Sequence, residues 1–130
     1  MSIYKNSCLT YFFVEHDGKL DKKEFCKLLN LDEKSVEYFS TSETIEIGRN
    51  EIYDVDVNKM VRVTLKDLLG KEKELIYLKE KYNLYYALER VPSIVADTTE
   101  PHPILSLDSD IIDFLSKTKT VDDLDYYVLP

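Results

Sequence analysis

The 130-residue chain carries 25 acidic and 17 basic side chains, a formal net charge of −8, so its average field repels nucleic-acid phosphates and anionic lipid head groups and favours a basic protein partner. Apolar residues make up 44% of it, enough for a single domain to bury roughly two-thirds of the surface its unfolded chain exposes, which excludes a disordered chain. No run approaches the roughly 18 consecutive apolar residues of a membrane span, and the first residues do not read as a cleaved leader, so the expected compartment is the cytoplasm.

In chain order, residues 8–15 (CLTYFFVE) are β-branched and aromatic and are closed by the turn-like His16-Asp17-Gly18-Lys19, which predicts a first strand with His16 as a polar surface residue. Asp21 precedes Phe25, Leu28 and Leu29 at helical spacing, with Glu24 three residues on, so a helix is expected to about Asn30. Residues 31–43 are polar and read mostly as loop. Ile45 and Ile47, then Tyr53, Val55 and Val57, alternate with charged residues around the turn chemistry of Gly48-Arg49-Asn50, which predicts an antiparallel hairpin of strands 44–47 and 51–57. Residues 60–63 add a short strand.

Thr64 then opens the strongest helix, with Asp67 in its first turn, an apolar stripe through Leu65, Leu68, Leu75 and Leu78, and Asn83 at its end. Gly70 inside that stripe marks a kink or a break into two helices. Residues 84–96 read as a strand, bulged or at an edge because Pro92 lacks a ladder donor. Residues 104–107 are a short strand, and 108–117 a helix capped by Asp108 or Ser109. A closing strand spans 121–129, with Leu124, Tyr126 and Val128 inward and Asp123, Asp125 and Tyr127 outward. This order predicts one α+β domain over residues 1–130, a mainly antiparallel sheet with helices packed on one face, in a ferredoxin-like βαββαβ layout with a C-terminal αβ extension.

Catalytic chemistry finds no nominee. Gly18, Gly48 and Gly70 are isolated, so no phosphate-cradling loop forms, and no serine sits in a nucleophile elbow. His16 and His102 lack metal-ligand company. Cys8 and Cys26 read as free, buried thiols without a disulfide framework. Neither a cofactor nor a metal is assigned. Acidic pairs are the conspicuous polar feature: Asp54 with Asp56, Asp108 with Asp110, and Asp122, Asp123 and Asp125. Asp108 and Asp110 suit a helix cap and first turn. Asp-x-Asp on a strand sets two carboxylates on one face about 6–7 Å apart, and Tyr126-Tyr127 adds a ring on each face.

The residues Pro103-Ile104-Leu105-Ser106-Leu107, the helix Ser109-Asp110-Ile111-Ile112-Asp113-Phe114-Leu115 and the closing Asp123-Leu124-Asp125-Tyr126-Tyr127-Val128, taken with the early Leu20-Asp21-Lys22-Lys23-Glu24-Phe25-Cys26-Lys27-Leu28-Leu29-Asn30-Leu31, resemble the bacterial domain-of-unknown-function 4279 family. Gly48-Arg49 echoes that family's glycine–basic step, while its tryptophans are missing. The resemblance implies a fold and a bacterial origin but no catalytic residues.

The function expected is a non-enzymatic protein-binding module of the immunity kind, in which Asp54, Asp56, Asp123, Asp125 and Tyr127 form an acidic, tyrosine-bearing face for a basic toxin. The alternative is an enzyme binding a divalent metal or small ligand through Asp123 and Asp125 with a nearby histidine. Self-association through the exposed hairpin edge is the third reading.

Overall fold

The computed structural model describes residues 6–39, 43–52, 56–95 and 106–129. Among the described residues, six strands form one sheet: β1 (Ser7–Glu15), β2 (Glu37–Phe39), β3 (Thr44–Ile52), β4 (Tyr85–Val95), β5 (Val121–Leu124) and β6 (Tyr127–Leu129). Four described helices accompany it: α1 (Lys22–Leu29), α2 (Val57–Leu65), α3 (Glu72–Tyr82) and α4 (Ser109–Thr118). The strand order is β2-β3-β1-β4-β5, with β6 also on β4. Neighbours from β2 to β4 run antiparallel, whereas β5 and β6 run parallel to β4, so the sheet of this α+β fold is mixed.

Alternation along β1 decides where the core lies. Cys8, Thr10, Phe12 and Val14 are buried, while Ser7, Leu9, Tyr11 and Phe13 on the other face are half-buried. Phe12 and Val14 join Ile45, Ile47, Tyr86 and Leu88 from the flanking strands, and the four helices bring Phe25, Leu29, Met60, Val61, Leu75, Leu78, Ile111 and Phe114 to the same cluster. The helices therefore cover one face. Tyr86 closes the middle of this core, its hydroxyl donating to the Leu75 carbonyl of α3 at 2.7 Å and its ring 5.3 Å from that of Phe12.

Local signals place most helix ends as expected. Asp21 accepts from the Lys23 and Glu24 amides and starts α1, and Asn30 ends it in the left-handed conformation (φ 54°). Asn83 does the same for α3 (φ 54°). The expected long helix is broken: residues 66–70 form turns, and Gly70 has φ +89°. Cys8 and Cys26 are buried free thiols, both held above the ordinary thiol range chiefly by burial, which argues against a nucleophilic role.

Several expectations are corrected. Residues 44–52 are one continuous strand between β1 and β2, so among the described residues the expected hairpin of 44–47 with 51–57 does not form. Residues 60–63 lie in α2, and Thr64 sits in that helix's last turn instead of opening the next. The segment 31–43 contains a 3-10 turn (Glu33–Ser35) and β2. His16 is buried, and its Nδ1 accepts the Gly18 amide hydrogen at 3.0 Å. Residues 106 and 107 are not in a strand; the rest of that expected strand, with Tyr53, Val55 and His102, lies outside the described residues. The closing segment is split into β5 and β6 and every side chain from 121 to 128 is exposed, so Leu124, Tyr126 and Val128 do not point into the core.

Gly48 makes a bulge rather than a turn. The register passes from Thr10↔Asn50 to Phe12↔Ile47, so Gly48 and Arg49 together oppose Tyr11, with Gly48 at φ +67°. A Cβ there would fall inside the envelope of the Thr64 carbonyl oxygen and 3.0 Å from Thr64 Cα. Thr64 Oγ1 hydrogen-bonds Thr10 Oγ1 at 2.6 Å and donates to the Gly48 carbonyl at 2.9 Å, tying α2 to the sheet.

Pro92 lies inside β4 without breaking it. The Arg90 carbonyl accepts from the Asp125 amide (2.9 Å), so the backbone edge shared by residues 90 and 92 faces the β5–β6 side. There β5 pairs only as far as Arg90 and β6 begins at Ser93, so no ladder bond needs a proline N–H.

Gly48→Ala is expected to destabilise the fold by at least about 2 kcal/mol, from positive-φ strain and overpacking against α2. Gly70→Ala, with nothing within 4 Å of the added Cβ, should cost only about 1 kcal/mol. Denaturant unfolding of the two variants measures the difference.

Candidate functional site, the open face of the sheet

With the helices on one side, the other face of the sheet is uncovered by any described helix. Register fixes what stands on it. Leu9, Tyr11 and Phe13 of β1 are flanked on β4 by Val91, Glu89 and Ala87, and on β3 Leu9 faces Glu51 while Phe13 faces Glu46. Across β4, Ala87 faces Val121 and Glu89 faces Asp123. An apolar and aromatic strip along β1 is thus bordered by carboxylates on both sides.

Tyr11 lies at its centre. The bulge turns Arg49 over the Tyr11 ring, with the guanidinium carbon 5.2 Å from the centroid, and Arg49 Nη1 donates to Glu46 Oε1 at 2.5 Å. Glu46 is only 8% exposed, and this contact compensates its charge. Burial, then the charges of Glu89 and Glu46, hold the Tyr11 hydroxyl above its ordinary range, against the opposing pull of Arg49.

Glu89 is the most perturbed carboxyl on this face. Burial, a hydrogen bond to Asp123 and the charges of Asp123 and Asp125 push it up to about 7. Asp125 extends the acidic edge and accepts from the Tyr127 hydroxyl at 3.3 Å.

The opposite faces of the same strands carry the opposite arrangement. Arg90, with a side chain 5% exposed, makes a two-pronged ion pair to Asp122, Nε to Oδ1 at 2.8 Å and Nη2 to Oδ2 at 2.7 Å. Consecutive residues of β4 therefore meet consecutive residues of β5 through one attractive and one like-charged contact.

Of the five residues expected to bind a partner, Asp123, Asp125 and Tyr127 are brought together at this edge. Asp56 is elsewhere: its side chain accepts from the Lys59 amide and caps α2. Asp54 lies outside the described residues. Asp108 and Asp110 are gripped by Arg62 of α2 at 2.7–2.9 Å, an interhelical tie that the cap reading alone did not include. Glu89, Tyr11 and Glu46 were not singled out in the sequence. Alternation in ALERV places Glu89 opposite Leu88 and Arg90, but only the parallel register with β5 brings it to Asp123.

Chemically, this face can hold a proton between two carboxyls, attract cations and stack an aromatic ring on a guanidinium. Among the described residues, cavities of about 300 and 370 Å³ are lined by neither Glu89 nor Asp123. Among the described residues, no group of three or more His, Cys, Asp or Glu side chains is arranged to hold a metal ion. Among them also, no helix is long and apolar enough to cross a membrane. No family model, curated protein or solved structure matches the chain.

Asp122→Ala leaves the buried Arg90 guanidinium without its two-pronged acceptor and should cost about 1.5–3 kcal/mol in denaturant unfolding. Amide exchange in β5 should accelerate more than in β1.

Proposed function

We propose that this chain is a non-enzymatic, cytoplasmic protein-binding module whose open sheet face takes a basic protein, in the manner of an immunity protein neutralising a basic toxin. One observation carries the reading: half-buried Leu9, Tyr11, Phe13 and Val91 form an apolar strip bordered by Glu46, Glu51, Glu89, Asp123 and Asp125. Among the described residues of that face Arg49 is the basic one, and Glu46 already engages it. Charge complementarity therefore calls for arginine or lysine on the partner, with apolar side chains between them.

Support for a ferredoxin-like core comes from the β2-β3-β1-β4 order with antiparallel neighbours, to which α4, β5 and β6 add an extension. That core leaves one sheet face available to a partner. Pairing of the β5 edge with a second copy of itself is disfavoured, because it would crowd Asp122, Asp123 and Asp125 against the carboxylates of the other copy.

A peptide of alternating arginine and leucine is a defined probe. Its titration, followed by amide chemical shifts, should perturb β1, β4 and β5 and leave α1–α4 unmoved. Affinity should fall steeply with added salt, and Glu51→Lys or Asp125→Lys should each weaken it roughly fivefold, the equivalent of about 1 kcal/mol for one exposed ion pair. Perturbations confined to the helices, or binding indifferent to salt, would remove the proposal.

A further inference from the structure

The edge formed by β5 and β6 is held to the sheet by few contacts. Among the described residues both strands pair only with β4, over four and three residues, and Val121, Leu124, Tyr126, Tyr127 and Val128 are 38–61% exposed, so little described apolar burial anchors them. Among the described residues, two side-chain pairings cross the β4–β5 seam: Arg90 reaches diagonally to Asp122 on the helix side, and Glu89 meets the directly facing Asp123 on the open side. The first is attractive whenever both groups are ionised. The second depends on one proton, since a protonated Glu89 donates to Asp123 whereas two carboxylates at directly facing positions repel.

We propose that the Glu89–Asp123 pair is a pH-operated latch on the C-terminal edge: a proton on Glu89 keeps β5 and β6 docked on β4, and its loss loosens them. The latch is independent of the identity of any partner for the open face. Among the described residues, three strands bring titratable or charged groups around Glu89. From β1 comes the Tyr11 hydroxyl, itself raised by its surroundings; from β3 come Glu46 and Arg49, which engage one another; from β5 and the residue after it come Asp123 and Asp125. The nearby cation, Arg49, is drawn across Tyr11 to Glu46, and the groups acting on Glu89 itself all favour its neutral form.

Linkage gives the direction. Docked, Glu89 keeps its proton up to about 7, against an ordinary value of 4.5, so between those pH values the docked edge binds more protons than the released one. The stabilisation is fully present below that window, declines as pH rises through it, and levels off above about 7. Arg90–Asp122 remains intact above the window, so the edge loosens without the core opening.

Amide exchange measured at about pH 5 and about pH 8, corrected for the intrinsic chemistry of exchange, tests the latch on the full chain. Protection of residues 121–124 and 127–129 should fall roughly tenfold between the two, while β1 amides keep theirs; this is the possible effect of the shift, discounted for the solvent reaching Glu89. Glu89→Gln, which keeps a donor and cannot ionise, should hold β5 protection constant across the range, and Asp123→Asn should do so by removing the like charge. Equal pH dependence in β1 and β5, or a drop retained in both variants, overturns the latch. A carbon-13 titration of the Glu89 carboxyl in the unsubstituted chain stands apart from any folding defect of the variants, and a midpoint in the ordinary carboxylate range would also overturn it.

Discussion

The close approach of α2 to the sheet at Gly48 organises much of this molecule. Because residue 48 has no Cβ, the Thr64 backbone can lie against the strand, and the Thr64 hydroxyl reaches both Thr10 and the Gly48 carbonyl. The same residue supplies the positive φ that adds one residue to β3 opposite Tyr11. One glycine thus seats a helix on one face and turns Arg49 onto the other. A larger side chain would oppose both at once, since the strand could not bulge in that way and the helix could not come as near.

Seating the helices on one side leaves the sheet asymmetric. The covered face is apolar apart from satisfied polar contacts such as Thr10 with Thr64 and Arg90 with Asp122. On the uncovered face, carboxylates border aromatic and aliphatic side chains that are only half-buried. Burial on such a surface is enough to disfavour charge but not to remove water, which is the regime in which a neighbouring carboxylate moves a proton equilibrium toward neutrality without forcing the group permanently neutral. Glu89 occupies that regime, and Tyr11 and Arg49 take the remaining positions around it.

The seam between β4 and β5 concentrates these effects because the two strands run parallel in a register that sets Glu89 directly opposite Asp123 and lets Arg90 reach diagonally to Asp122, the partner of Leu88. Strand alternation sends the two contacts to opposite faces, so an ion pair and a carboxyl pair act on the same short edge from either side. Pro92 lies just beyond, where β5 gives way to β6, and accommodates the break in pairing. The acidity that set the overall charge of the chain thus divides by role: Asp21, Asp32 and Asp56 cap helical turns, Asp108 and Asp110 hold Arg62, and Glu46, Glu89, Asp123 and Asp125 colour the open face.

Short-range chemistry was legible in the linear order of residues: the strand 7–15 from its β-branched and aromatic run, α1 from Asp21 to Asn30, the break at Gly70, the strand through Pro92, and the helix after Asp108. These depend on neighbours one to four residues away, where spacing and capping act directly. Residues 44–52 were misread because Gly48-Arg49-Asn50 serves a hairpin turn and a bulge alike, and which one forms depends on Thr10, Tyr11 and Thr64, distant in sequence. The same holds for the site. Asp123, Asp125 and Tyr127 were visible as an acidic, aromatic strand, but their exposure on both faces followed from the edge position of β5, which local alternation does not encode. Asp56 looked like half of an acidic pair until the start of α2 claimed it as a cap. Glu89 carried no signal by itself: a glutamate alternating with leucine and arginine is ordinary strand chemistry, and its altered proton affinity arises only when tertiary pairing buries it beside Asp123.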